Sequence, residues 1–387
     1  MTGYIIENGT VYVPGSGKFE KRDVFIINGK IQNKIESKEK LLAEDNIRVI
    51  DAEGCYVTKG LIDYHVHYFQ GGADNGVNSD VASFPNGVTT AVDGGTSGVS
   101  SFEIFRQAVI GRADVRLLAQ LLVGSGGQLT ERYPEHIEKE MIDEDRITEM
   151  FEKHKDCLVG LKMRLSANVI EEREARGALE KSVEIAEKLG CNLTVHITNP
   201  AMNLEEMAGI LRKGDVVCHM FQNKGKENIL DSNQKVRKGI WRARERGVLF
   251  DACNGRNNFD LKIAEAALKE NFFPDIISSD INTCSYYEGV LHSLPKVLSK
   301  YIAFGCSLDK ILDAAIYYPA KVIGREELAS MENGSPADLF IFRIVDKDIV
   351  YLDHTNGQNK LYGKHIIKPQ MTIKDGKIVY SQVDFER

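Results

Sequence analysis

The pattern of apolar and polar positions divides the chain into a long central region and two shorter ends. From about residue 55, short apolar runs rich in β-branched residues alternate with longer amphipathic segments. Near-continuous apolar runs are typical of strands in a parallel sheet that is covered on both faces. Eight such strands are predicted, at 59–66, 87–93, 115–123, 157–164, 192–197, 215–220, 247–253 and 275–280.

The segments between these strands carry the spacing of amphipathic helices. The clearest covers 175–189, where apolar residues share one face and Gly190 follows as a stop signal. Further helices are predicted at 134–155, 203–213, 234–246, 258–270, 287–303 and 308–323. Eight βα units, each a strand with the segment that follows it, predict an α/β fold, a (β/α)8 TIM-type barrel. A doubly wound open sheet is the alternative, but no Gly-x-Gly-x-x-Gly follows the first strand.

The two ends of the chain resemble each other more than they resemble the central region. Both contain short β-rich runs separated by turn signals, such as Asn8-Gly9 and Asp375-Gly376. A turn cluster at 332–336 marks the end of the central region. We therefore predict a barrel over 55–329 and a small β-sandwich in which 1–54 pairs with 330–387.

Composition restricts the possible partners. The net charge of −7 disfavours nucleic acid or an anionic membrane surface as a partner. No stretch approaches the ~20 apolar residues of a membrane span, and the first residues lack the features of a signal peptide. The seven cysteines are scattered without a Cys-x-x-Cys motif, which is typical of reduced thiols. We expect a cytoplasmic protein that acts on a small molecule.

The first predicted barrel strand ends in the motif His65-Val66-His67. Positions i and i+2 of a strand point to the same face, so both imidazoles aim at one point just past the strand. Imidazole is the commonest metal ligand in proteins. Alone, the motif is equally compatible with two histidines that bind no metal.

Four more polar residues fall near the C-terminal ends of predicted strands, where barrel enzymes keep their active sites: Lys162, His196, His219 and Asp280. The apolar run around Lys162 would bury its amine, which is costly for a charged ammonium. A neutral amine can add carbon dioxide and become a carbamate, whose two oxygens can bridge two cations. The alternative is a lysine that extends to the barrel rim.

These residues and their positions resemble the amidohydrolase superfamily of metal-dependent hydrolases, in its binuclear, carboxylated-lysine form. Dihydroorotases, hydantoinases, isoaspartyl dipeptidases and deacetylases belong to it, and the resemblance covers essentially the whole chain. It implies one metal bound by His65, His67 and Asp280, and a second bound by His196 and His219, with carboxylated Lys162 between them. The implied cofactors are two Zn²⁺ ions per subunit.

The resemblance also implies a mechanism. A hydroxide held between the two cations attacks a substrate carbonyl. Asp280 accepts the hydroxide proton and delivers it to the leaving group. Barrels of this family often associate, so we expect a homo-oligomer.

Substrate selection is predicted to depend on residues around this centre. Phe69 occupies the position of a typical arginine in dihydroorotases and of a typical glutamate in adenine deaminases, so we predict an apolar wall there. Arg164 lies two residues past Lys162 and shares its face. It is predicted to bind a carboxylate or a developing oxyanion, the alternative being a salt bridge at the rim. Asn254 and Asn282, in loops after strands, are predicted to contact substrate.

These features favour a hydrolase that cleaves an ester or amide acyl bond, most simply a deacetylase acting on a small acylated α-substituted carboxylic acid. One alternative is a cyclic amidohydrolase or deaminase of the dihydroorotase or adenine deaminase kind. A more remote alternative is a non-catalytic scaffold of the dihydropyrimidinase-like kind. All six ligand positions are intact, which argues against the scaffold.

Overall fold

A computed structural model of the protein describes residues 2–35, 37–44, 46–130, 132–287, 293–353 and 359–383. The N-terminal segment folds into short strands and one short helix. The strands are β1 Gly3–Glu7, β2 Thr10–Val13, β3 Lys18–Lys21, β4 Val24–Ile27, β5 Lys30–Gln32, β6 Ile47–Asp51 and β7 Tyr56–Lys59, with helix α1 Lys38–Leu42 between β5 and β6.

The central region forms a curled sheet of seven parallel strands that neighbour one another in chain order. They are β8 Leu61–Val66, β9 Val88–Asp93, β10 Arg116–Leu122, β11 Leu158–Arg164, β12 Asn192–His196, β13 Val216–Cys218 and β14 Leu249–Asp251. The predicted eighth strand, 275–280, forms isolated parallel bridges instead of a regular strand. Ile276 bridges to Asp251 and Ile281 bridges to Val66, so this segment closes the barrel between β14 and β8.

Helices connect and cover the barrel strands. They are α2 Ser79–Ser83, α3 Phe102–Ala108, α4 Glu144–Lys153, α5 Glu172–Leu189, α6 Leu204–Ile210, α7 Lys238–Glu245, α8 Leu261–Lys269, α9 Thr283–Tyr287, α10 Leu294–Ala303, α11 Leu308–Ala315 and α12 Tyr317–Val322. Among the residues that the structure describes, no helix combines the length and apolar character needed to cross a bilayer.

Three predicted helices differ clearly from the observed ones. The segment predicted as one helix over 308–323 forms α11 and α12, which are divided at Ile316. The helix predicted over 134–155 begins only at Glu144, because the Asp143 side chain accepts a hydrogen bond from the Arg146 amide and caps the helix there. The helix predicted over 287–303 corresponds to α10, and residues 288–292 of that prediction lie outside the described residues.

The C-terminal strands are β15 Leu339–Leu352, β16 Lys360–Lys374 and β17 Lys377–Ser381, and they join N-terminal strands in one of two further sheets. One sheet has the order β17-β16-β15-β7-β2-β3, and the other has the order β5-β4-β1-β6. Apolar side chains of both sheets share one core, including Ile6, Ile26, Val57, Leu339 and Ile373. Strand β7 pairs with β15 and β2 and so belongs to the terminal sheet, although the predicted barrel begins at residue 55.

Candidate metal centre and active site

The structure brings all six predicted ligand residues to the C-terminal mouth of the barrel. They are His65 in β8, His67 just after it, Lys162 in β11, His196 at the end of β12, His219 after β13, and Asp280 beside the bridge to β8. His67 Nε2 lies 3.2 Å and His65 Nε2 lies 4.0 Å from Asp280 Oδ1. The ligand atoms of these three residues all lie within 4.8 Å of one another, so the group could hold one metal ion.

A second group of imidazoles lies next to the first. The ring centroids of His196 and His219 are 4.4 Å apart, and those of His65 and His219 are 5.5 Å apart. Lys162 Nζ lies 3.2 Å from His65 Nε2, and the lysine is only 1% exposed. Among the described residues, the nitrogen and sulfur atoms of His65 and Cys218 are its hydrogen-bond partners. A buried ammonium with no carboxylate partner is energetically unfavourable.

The surroundings of His65, His196 and Asp280 favour the protonation states that bind metals. Burial, with the nearby Lys162 charge, lowers the pKa of His65 well below its usual range. Burial and the neighbouring His219 have the same effect on the pKa of His196. Burial alone would raise the pKa of Asp280, but the adjacent His67, His219 and Lys162 lower that pKa overall. Neutral imidazoles and an ionised carboxylate are the forms that bind divalent cations.

Hydrogen bonds outside the centre fix the tautomer of His67. Its Nδ1 lies 2.8 Å from Thr96 Oγ1, and the Thr96 hydroxyl donates to Asp93 Oδ2 at 2.9 Å. Because the Thr96 hydrogen points to Asp93, the Thr96 oxygen accepts from His67 Nδ1–H. The lone pair of His67 Nε2 therefore faces the centre, as in metal sites supported by an outer shell.

A backbone carbonyl fixes the tautomer of His219 in the same way. His219 Nδ1 lies 2.7 Å from the carbonyl oxygen of Cys253. A carbonyl can only accept, so Nδ1 carries the proton and Nε2 carries the lone pair. Asp93, Thr96 and Cys253 were not predicted from the sequence, although Asp93 ends the second barrel strand at the same mouth as the ligands.

We expect Thr96→Val to lower metal affinity by about 10–100-fold, because loss of an outer-shell partner frees the orientation of His67. Competition with a chromophoric chelator measures this change. The matched control is Thr58→Val, since Thr58 is also buried but its hydroxyl lacks a hydrogen-bond partner in the described structure. Equal metal affinity in the two variants would show that Thr96 does not support metal binding through His67.

Three residues around the centre adopt left-handed backbone conformations. The φ angles are 66° at His219, 34° at Cys253 and 56° at Asp280. Such conformations cost about 1–3 kcal/mol for residues other than glycine, and they persist where the surrounding structure demands them. Here they turn side chains toward the mouth at the points where the regular strands end.

A cavity of about 780 Å³ opens above the six residues. Its wall carries four cationic side chains besides Lys162, namely Arg132, Arg164, Lys224 and Arg256. Asn282 lines the cavity and donates from Nδ2 to the backbone oxygen of Asp280 at 3.1 Å. The cavity therefore surrounds the centre with polar groups and with more cationic than anionic side chains, since Asp74 and Asp280 are the acidic residues of the described chain that line it.

The structure modifies three expectations about substrate residues. Arg164 lines the cavity, but its guanidinium donates to Glu135 Oε1, so it is not an isolated cation. Phe69 is only 2% exposed and packs against Phe105 with ring centroids 4.6 Å apart. It does not belong to the cavity wall, because the chain turns after the first strand and directs this ring into the core. The predicted apolar wall is therefore corrected.

Asn254 is also placed away from the cavity wall. Its backbone amide donates to the carbonyl oxygen of Ser278 at 3.1 Å, which continues the pairing between neighbouring barrel segments. Its side-chain oxygen accepts a hydrogen bond from Lys300 Nζ, and the residue is buried. The sequence-based assignment of Asn254 to substrate binding is corrected to a core position.

The barrel, its sheets from both chain ends and the converging imidazoles, lysine and carboxylate define a barrel hydrolase with an active site suited to metal ions. Residues 56–379 match the sequence profile of the Amidohydrolase family, and the chain belongs to that family. The family resemblance and the barrel fold predicted from the sequence are both confirmed.

Known relatives carry several activities. The chain is similar to the deacetylase Atu3266 of Agrobacterium fabrum, with 30% identity over 334 residues, which are 86% of this chain and 81% of that protein. Among solved structures, it resembles a dihydroorotase at 26% identity with a TM-score of 0.85, covering 99% of this chain and 98% of that one. It also resembles an adenine deaminase at 26% identity with a TM-score of 0.85, covering 99% and 100%.

Proposed function

We propose that the protein is a binuclear zinc hydrolase that removes an acyl group, most simply an acetyl group, from a small acylated α-substituted carboxylic acid. The observation that carries this proposal is the cationic wall of the cavity, formed by Arg132, Arg164, Lys224 and Arg256, around a centre suited to attack a carbonyl. Such a wall favours an anionic substrate. The similarity to a deacetylase supports the same reaction type.

The donor set fits two divalent cations. Four imidazoles, one carboxylate and Lys162 offer nitrogen and oxygen ligands, which suit zinc in a site that keeps an open position. We assign His65, His67 and Asp280 to one ion, His196 and His219 to the other, and carboxylated Lys162 to the position between them. Bound cations supply Lewis acidity, which acidifies a water and polarises the substrate carbonyl.

We assign the proton transfer to Asp280. Its Oδ1 faces His67, and its Oδ2 accepts a hydrogen bond from Asn258 Nδ2 at 3.2 Å. In this orientation the carboxylate is held at the floor of the cavity, where it accepts a proton from the attacking water and returns it to the leaving group. Glu135 holds the Arg164 guanidinium, whose remaining donors bind the substrate carboxylate.

The test compares matched substrates on protein loaded with zinc. Each acylated α-amino or α-hydroxy acid is assayed beside its carboxamide, which keeps the scissile bond and lacks the negative charge. Dihydroorotate, hydantoin and adenine complete the panel, because solved relatives include a dihydroorotase and an adenine deaminase. We expect the acids to give the highest kcat/KM. Faster turnover of adenine or dihydroorotate than of every acylated acid would reject the proposal.

Arg164→Met is expected to raise KM for acylated acids and to leave their carboxamides nearly unchanged. A hydrogen bond to a charged group contributes about 1.5–3 kcal/mol, which corresponds to a loss of about 10- to 100-fold in kcat/KM. Steady-state kinetics on the matched pairs measure the difference. An equal fall of kcat for acid and carboxamide would instead assign Arg164 to oxyanion stabilisation.

A further inference from the structure

Two buried thiols lie beside the imidazoles, and neither belongs to the predicted ligand set. Cys218 is the last residue of β13, and Cys253 lies two residues beyond β14. Both side chains are completely buried. Cys218 Sγ lies 3.3 Å from Lys162 Nζ, and Cys253 Sγ lies 3.8 Å from His219 Nε2. One sulfur atom therefore lies close to Lys162, and the other lies close to the His219 imidazole.

The backbone explains how two consecutive residues reach the same point. On a regular strand, Cys218 and His219 would face opposite sides of the sheet. The φ angle of 66° at His219 breaks this alternation at the end of β13. His196 pairs with Cys218 in the register of β12 and β13. The ligand atoms of His196, Cys218 and His219 consequently lie within 4.8 Å of one another.

We propose that Cys218 is a sulfur ligand of the metal held by His196 and His219. The inference rests on the metal centre of the proposed function and adds one donor to it. Cys253 is the rival donor, since it forms a similar group with His65 and His219. We favour Cys218 because its sulfur also contacts Lys162, the residue assigned to the position between the two ions. Cys253 would have to share His65, and His65 already faces Asp280 at the other ion.

A sulfur ligand has consequences for metal choice. Thiolate is a soft donor that favours zinc, cobalt(II) and cadmium over magnesium and manganese. Its negative charge would also help to retain the ion at His196 and His219 when Lys162 is not carboxylated. We therefore expect a centre that holds thiophilic ions tightly and hard ions weakly.

Cobalt(II) substitution of the full-length protein tests the assignment without an activity measurement. We expect wild-type protein to show a near-ultraviolet sulfur-to-cobalt charge-transfer band that is lost in both Cys218→Ser and Cys218→Ala. The band is expected to remain in Cys253→Ser and in the matched control Cys191→Ser, where Cys191 is a half-buried cysteine just before β12. Cys218→Ser should also weaken cobalt binding at one site by at least about tenfold, since even outer-shell changes reach that scale.

The outcomes separate this inference from the proposed function. A wild-type protein that binds cobalt and shows its visible ligand-field bands, but lacks the charge-transfer band, overturns sulfur ligation and leaves the metal centre intact. A band that disappears in Cys253→Ser and persists in both Cys218 variants assigns the ligand to Cys253 and also overturns the proposal. A wild-type protein that binds no cobalt rejects the metal centre of the proposed function itself.

Discussion

Asp280→Asn is expected to lower kcat by about 10²–10⁴-fold, the usual contribution of a general acid–base group. Asparagine keeps the shape of the side chain and can still accept from Asn258, but it cannot take up a proton. The left-handed backbone at Asp280 tolerates asparagine well, so the fold should be retained. Steady-state rates should be measured with metal content determined on the same sample.

Leaving-group dependence distinguishes proton transfer from simple loss of metal. An activated ester needs little protonation of its leaving group, so the defect of Asp280→Asn should shrink on that substrate. Asp215→Asn is the matched control. Asp215 is a buried carboxylate that accepts hydrogen bonds from Leu193 and Arg212. It lies near the N-terminal ends of β12 and β13, away from the C-terminal mouth. Its kcat should stay close to that of wild type. The same defect on activated and ordinary substrates would exclude Asp280 as the proton carrier.

Most of the barrel could be predicted because its strands are short, continuous apolar runs, whereas the helices around them are longer segments with amphipathic spacing. The segment 275–280 has the same composition, and backbone hydrogen bonds connect it to both neighbouring segments, but it forms bridges at Ile276 and Ile281 instead of a regular strand. Its composition does not distinguish these two outcomes. Likewise, the start of α4 depends on the side-chain cap at Asp143, a local bond that periodicity does not contain.

The convergence of the six proposed ligand residues could be predicted because each one lies at or near a strand end, and parallel strands bring those ends to one edge. The residue beyond such an end is harder to place. Phe69 follows His67 by two positions, but the strand alternation no longer applies once the chain turns, and the ring packs on Phe105. His219 shows the opposite case, since its left-handed backbone brings it into the centre next to Cys218.

Pairings between distant loops were not accessible from the sequence. Glu135 lies in a segment that was predicted as helix, and its contact with Arg164 joins that segment to the end of β11. Thr96 orients His67 only because Asp93 fixes the Thr96 hydroxyl. The contacts of Arg164 with Glu135 and of His67 with Thr96 are tertiary contacts between polar residues whose spacing follows no helix or strand period.

Lys162→Ala is expected to lower kcat/KM by about 10²–10³-fold or more, the scale for removal of one preorganised electrostatic group. In the structure, Lys162 is buried against His65 and Cys218, and no carboxylate of the described residues pairs with it. Carboxylation would replace this buried positive charge with a negative one between two sets of metal ligands. Removing the side chain therefore removes the bridging anion.

Metal content and chemical rescue give this prediction a second measurement. Metal analysis of Lys162→Ala should show a fall from two equivalents toward one, since Cys218, His196 and His219 can still hold an ion. Acetate or another short carboxylate should restore part of the activity, because it fits the space left by the side chain and supplies two oxygens. Labelled bicarbonate should give a carbamate carbon signal in wild-type protein that is absent from the variant.

The matched control is Lys59→Met, because Lys59 is also fully buried but lies in the terminal sheet, where it donates to the carbonyl oxygen of Pro336 at 2.5 Å. Its loss should reduce stability and leave metal content and the carbamate signal unchanged. If Lys162→Ala instead bound both metals and turned over substrate at the wild-type rate, the bridging role would be wrong. The buried lysine would then need another explanation, such as a hydrogen-bond donor that orders His65.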